Sequence, residues 1–116
     1  MSGKTVLVTG GSRSGKSRHA LQLTGNDHGQ KIFIATAEPL DEEMAERIRK
    51  HQNERGKEWT TIEEPLDPTS VLREQGDQPG TIVLDCITLW LSNMVMKDMT
   101  REIILQQVHE FIRECK

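Results

Sequence analysis

The sequence predicts an α/β fold, a mostly parallel β-sheet flanked by helices. Two observations predict it. Short β-branched apolar runs alternate with helical stretches, and that alternation builds parallel units joined by right-handed crossovers. The first run also leads straight into a glycine- and serine-rich turn and then a helix. The chain has 116 residues, near the commonest domain size, so residues 1–116 are expected to form one domain. Folding at this length buries roughly two-thirds of the unfolded surface, enough for a modest core.

Residues 4–9 (KTVLVT) read as a strand buried on both faces. Residues 10–15 make the turn. A helix follows from 16 to about 23, with Ala20, Leu21 and Leu23 as its apolar members, and stops near Gly25. Residues 24–30 are a polar loop. Residues 31–36 (KIFIAT) repeat the buried-strand pattern, and Glu38-Pro39-Leu40 breaks it. Asp41 reads as the N-cap of a second helix. Glu42 and Glu43 follow in its first turn, where the helix dipole favours negative charge. This helix runs to about Arg55 and stops at Gly56. Its apolar face is only Met44, Ala45 and Ile48, so it is expected to lie over a surface rather than inside the core.

Residues 59–62 (WTTI) predict a short strand, ended by Glu63-Glu64-Pro65. One or two helical turns fit at 68–75, within a stretch rich in proline. Residues 81–85 (TIVLD) are the third clear strand, and residues 87–96 an apolar helix. Asp98 or Thr100 caps a last helix. Its apolar positions Ile103, Ile104, Val108, Phe111, Ile112 and Cys115 recur at helical spacing. A helix in such a series normally delivers the chain to another strand, and none follows. The sheet is therefore expected to be incomplete, or to end on a terminal helix.

Charge and cysteine usage exclude several classes. Lys and Arg total 15 against 18 Asp and Glu, a net charge of −3, which disfavours a general nucleic-acid binder. The longest apolar run is too short to span a bilayer. The first residues lack the features of a signal peptide. Only Cys86 and Cys115 are present, without a C-x-x-C pair. Neither a disulfide framework nor a thiolate zinc site is expected, and the cytoplasm is the default compartment.

The sharpest signal is Gly10-Gly11-Ser12-Arg13-Ser14-Gly15-Lys16-Ser17, a full match to G-x-x-x-x-G-K-[ST] between a strand and a helix. Glycines let the backbone curl so that successive N–H groups face phosphate oxygens, and the following helix adds the positive end of its dipole. Lys16 would reach the β- and γ-phosphates, and Ser17 would offer its hydroxyl to Mg2+. The fold expected is therefore of the P-loop NTPase type. Asp85, ending an apolar strand, is the matching carboxylate, able to hold the hydration shell of Mg2+. A strand-end Asp that caps the next helix reads the same way, and both roles can coexist. The histidines His19, His28, His51 and His109 do not pair at metal-ligand spacing. By spacing alone each reads as an ordinary surface or boundary residue.

Five segments together carry a resemblance: V-T-G-G-S-R-S-G-K-S-R (8–18), I-A-T-A (34–37), D-E-E-M-A-E-R-I-R-K-H (41–51), Trp59 and L-D-C-I-T-L-W-L-S-N (84–93). They resemble the bifunctional adenosylcobinamide kinase / adenosylcobinamide-phosphate guanylyltransferase family of cobalamin biosynthesis, over nearly the whole chain. The resemblance implies phosphorylation of adenosylcobinamide by ATP or GTP. It then implies transfer of GMP from GTP to that phosphate through a guanylyl-histidine. The histidine role falls on His51, with Lys50 where some relatives carry a second histidine. Lys16 is the other implied catalytic residue. The implied nucleotide contacts are residues 10–17, Ile34, Ala35, Thr36, Gln52, Asn53, Glu54, Arg55, Glu63 and Asp85, with Mg2+ at Ser17 and Asp85. A cytoplasmic homo-oligomer is implied as well. Family members continue into further strands and a glycine-rich V-T-N-E-V-G-type segment, so the chain is expected to be the amino-terminal part of a longer fold. Two other readings stay open: a P-loop small-molecule or nucleotide kinase that does not need His51, and a non-catalytic GTP-binding fragment.

Overall fold

The computed structural model describes residues 29–38, 41–55, 59–75 and 80–115, with His19 and Gln22 besides; of His51, Glu54 and Arg55 it describes the helical backbone alone. The expected strand at 4–9, the phosphate loop at 10–17 and most of the helix after it lie outside the described residues. Among those described, the elements are β1 Gln30–Ala35, α1 Glu42–Arg55, β2 Thr60–Glu63, α2 Pro68–Gln75, β3 Gly80–Asp85, α3 Ile87–Met96 and α4 Arg101–Cys115. The three strands agree with the sequence-based expectations to within a residue at each end.

The strands form a parallel sheet in the order β2-β1-β3. The middle strand is the most apolar one, and its Ile32, Phe33, Ile34 and Ala35 are all buried. Register builds the core from there. Ile32 lies beside Ile82, and Ile34 beside both Ile62 and Leu84, so one face carries a continuous branched layer. Val71 and Leu72 of α2 close over it. On the other face Phe33 meets the edge of the Trp59 ring, centroids 6.2 Å apart, and the Lys31 ammonium lies 5.8 Å from the same ring.

Short polar side chains start the helices. Asp41 accepts from the Met44 N–H at 2.7 Å and caps α1 as expected. Glu64 accepts from the Leu66 and Asp67 N–H groups, and Asp67 from the Ser70 N–H, which turns the chain into α2. Of the two candidate caps for α4, Thr100 is the one used, accepting from the Ile103 N–H at 3.3 Å. Asp98 instead takes a left-handed conformation, φ 59°, just past α3.

Helix α4 packs on α2 and α3. Phe111 meets Trp90 at 5.2 Å. Arg73 reaches Glu114 at 3.0 Å and Glu110 at 3.7 Å. The hydrogen bond to Glu114 is the main cause that holds the guanidinium pKa above its usual value. The expected apolar stripe divides. Ile104, Val108, Phe111 and Cys115 are half-buried, while Ile103 and Ile112 are each 45% exposed. Burial, and then Glu114, push the Cys115 thiol pKa up. Neither cysteine forms a disulfide. Among the described residues no helix is long and apolar enough to cross a membrane.

Among the described residues one buried side-chain group is unsatisfied. Thr69, 1% exposed in the first turn of α2, has a hydroxyl with no hydrogen-bond partner. Burying an unpaired hydroxyl costs about 1–3 kcal/mol, and valine keeps the shape without it. Thr69→Val is therefore expected to stabilise the fold by about 1 kcal/mol and raise the thermal midpoint by about 4 °C. A lowered midpoint would show that the hydroxyl is bonded in solution.

Candidate functional site

The three strands end level. Ala35 pairs with Glu63 on one side and with Asp85 on the other. In open parallel sheets ligands bind beyond the carboxyl ends of the strands. Ile34, Ala35, Thr36, Glu63 and Asp85, all singled out in the sequence, meet at that edge. With β1 between them, the backbones of Glu63 and Asp85 stand about 10 Å apart, two strand spacings.

The residues at the end of β1 face inward. Ile34 and Thr36 are fully buried and Ala35 nearly so. The Ala35 carbonyl accepts from the Glu64 N–H at 2.9 Å, and the Thr36 N–H donates to the Asp85 carbonyl at 3.1 Å. The Thr36 hydroxyl donates to the Cys86 carbonyl at 2.8 Å and accepts from the Cys86 N–H at 2.9 Å. This stretch sets where its neighbours stand. Glu63 is exposed and Asp85 half-buried. The N-cap position of α3 is Cys86, so Asp85 lies one residue before the cap; the peptide bond between them is cis.

Helix α1 reaches the same edge. The Gln52 amide donates to the Glu63 carboxylate at 3.4 Å, an exposed contact. A crossover helix that ran back along the sheet would leave its last turns at the opposite edge. Here the turn holding His51, Gln52 and Asn53 stands beside the carboxyl end of β2. Packing explains how α1 can stand off. None of its described side chains is buried, and Met44, Ala45, Ile48 and Gln52 are half-buried along one side. Arg47 pairs with Glu43 at 3.3 Å, an exposed contact one turn apart, worth only about 0.3–0.5 kcal/mol. The guanidinium therefore remains available to an anion.

Two contributors carried no sequence-based role. The Asn93 amide donates to the Thr36 carbonyl at 2.7 Å and to the Pro65 carbonyl at 3.0 Å. The Trp90 indole N–H donates to the Leu66 carbonyl at 2.8 Å. The available signal was a lone amide in a largely apolar helix. Among the described residues no cluster of three or more His, Cys, Asp or Glu side chains forms a metal site. A single strand-end carboxylate suits Mg2+, a hard cation that keeps several waters and takes few protein ligands.

A parallel sheet whose strand ends present carboxylates, in a chain carrying the phosphate-loop motif, defines an α/β protein of the P-loop NTPase type. The family model for cobinamide kinase / cobinamide phosphate guanyltransferase (CobU) matches residues 6–116, and the chain belongs to that family. It is 38% identical over 109 residues to the bifunctional adenosylcobalamin biosynthesis protein CobP of Pseudomonas aeruginosa, covering 94% of this chain and 62% of that protein. It is 40% identical over 90 residues to the bifunctional protein CobU of Escherichia coli, covering 78% of this chain and 49% of that protein. The Salmonella typhimurium CobU is 42% identical over the same length and coverage. The chain thus spans about half to three-fifths of the curated relatives it matches.

Proposed function

We propose that the chain works in cobalamin biosynthesis as a cobinamide kinase and cobinamide-phosphate guanylyltransferase that uses His51 as its nucleophile. The observation that supports it best is the shared edge. The end of β1, Glu63, Asp85 and the α1 turn bearing His51 stand on one side of the sheet.

In this reading the loop at 10–17 cradles the triphosphate with backbone N–H groups, and Lys16 neutralises charge on the β- and γ-phosphates. Gln52, Asn53, Glu54, Arg55 and Glu63 border the nucleotide. Ile34, Ala35 and Thr36 form the floor that sets their height. Ser17 and Asp85 would hold Mg2+, whose chemistry is to offset phosphate charge. In the kinase step the cobinamide hydroxyl oxygen attacks the γ-phosphorus, the nucleoside diphosphate leaves, and the hydroxyl proton is lost. In the transferase step a neutral His51 nitrogen attacks the α-phosphorus of GTP. A P–N bond forms and pyrophosphate departs. An oxygen of cobinamide phosphate then displaces the histidine, which regains its lone pair. Arg47 and Arg55 are placed on the same helix to offset the charge that develops on the α-phosphate. A cytoplasmic homo-oligomer belongs to the same reading.

Incubation with Mg2+ and GTP radiolabelled at the α-phosphorus tests the proposal. An acid-labile, alkali-stable label is expected to stay on the denatured protein, as a phosphoramidate would. Bound GTP without such a label would reject the guanylyl transfer and leave the plain kinase or the binding fragment.

A further inference from the structure

Helix α3 fastens the carboxyl edge from behind. A single Asn93 amide joins the chain leaving β1, at the Thr36 carbonyl, to the chain leaving β2, at the Pro65 carbonyl. Both partners are acceptors, which only the NH2 of the amide can satisfy, so its orientation is determined. Thr36 brings in β3. Its hydroxyl is bonded twice to Cys86, and its N–H is bonded to the Asp85 carbonyl. Every strand end at the site is therefore tied to another through Thr36 or Asn93. Thr36 is fully buried and its polar groups all have protein partners, so it has nothing left to offer a nucleotide.

We propose that Thr36 and Asn93 are positioning residues of the nucleotide site, a reading that rests on the function proposed above. They hold the ends of β1, β2 and β3 level, so that the Glu63 and Asp85 carboxylates meet a Mg2+-bound nucleotide in one geometry. The turns beyond strand ends have rotational freedom that these bonds remove. Displacement of a site group by about 1 Å can cost about a hundredfold in rate. A brace that served only the fold would lower the thermal midpoint and leave the Mg2+-dependent part of binding unchanged.

The test uses the full chain and the variants Thr36→Val, Thr36→Ser and Asn93→Ser. Two quantities are read: the thermal midpoint, and the affinity for GTP by titration calorimetry, with Mg2+ and with EDTA. The wild type comes first. If it binds no GTP, the nucleotide site itself is lost and this inference falls with it. Where the wild type binds, Thr36→Val and Asn93→Ser are expected to lose about tenfold in Mg2+ but no more than about twofold in EDTA, while Thr36→Ser stays within about twofold of wild type throughout. Wild-type affinity in Mg2+ at a lowered midpoint overturns the inference and leaves a structural brace. Equal losses in Mg2+ and EDTA overturn it too. Should Thr36→Val fail to fold, Asn93→Ser, cut at a half-buried position, decides by the same comparison.

Discussion

Replacing His51 by alanine is expected to abolish the covalent GMP label while leaving GTP affinity within about twofold of wild type. The two halves of this expectation have different causes. Removing a nucleophile that acts as part of a catalytic unit costs on the order of 10^4-fold or more, which takes the label below detection. The fold should hardly notice. The described side chains of α1 include none that is buried, and alanine is the best helix former. The midpoint should therefore move by less than about 2 °C. Lys50→Ala is the matched control. Lys50 is exposed on the same helix, and its loss should keep the label. A label that survives in His51→Ala would place the covalent chemistry on another residue.

How much of this was legible in the sequence depends on range. Local signals read well. Asp41 caps α1, and the thin apolar face of that helix does leave it outside the core. β1 is buried along Ile32 to Ala35 because a continuous β-branched run suits a strand covered on both sides. Order across the sheet was not legible, since periodicity shows that strands exist but not which one lies in the middle. Thr36 shows the same limit within the site. The motif I-A-T-A placed it near the nucleotide, yet its hydroxyl is turned to Cys86, fifty residues away in the chain. Asn93 reaches 57 residues back to Thr36 and 28 to Pro65, and its local signal, an amide in a largely apolar helix, names neither partner. In α4 the apolar stripe was read correctly as helical. Spacing alone did not reveal that Ile103 and Ile112 would stay exposed while Phe111 turned to Trp90.

Trp90→Ala is expected to cost about 4 kcal/mol, the largest single effect on stability. Trp90 is the largest fully buried side chain, 1% exposed. It joins three parts of the fold: its own helix, α4 through Phe111, and the turn after β2 through the Leu66 carbonyl. Alanine would open a cavity among all three and leave that carbonyl unpaired. A chain of 116 residues has roughly 6–17 kcal/mol in total at the usual 0.05–0.15 kcal/mol per residue. The loss is therefore a quarter to two-thirds of the whole, and the thermal midpoint should fall by about 15 °C. Trp90→Phe separates the causes. It keeps an aromatic ring against Phe111 and removes the N–H, so about 1–2 kcal/mol should be lost through the hydrogen bond and the smaller ring. Circular dichroism is the proper readout, because both variants leave Trp59 as the sole tryptophan emitter. If Trp90→Ala unfolded within about 1 kcal/mol of wild type, α3 would not be the element that holds α4 and the β2 turn together. The brace at the carboxyl edge would then have to rest on Asn93 and Thr36 alone.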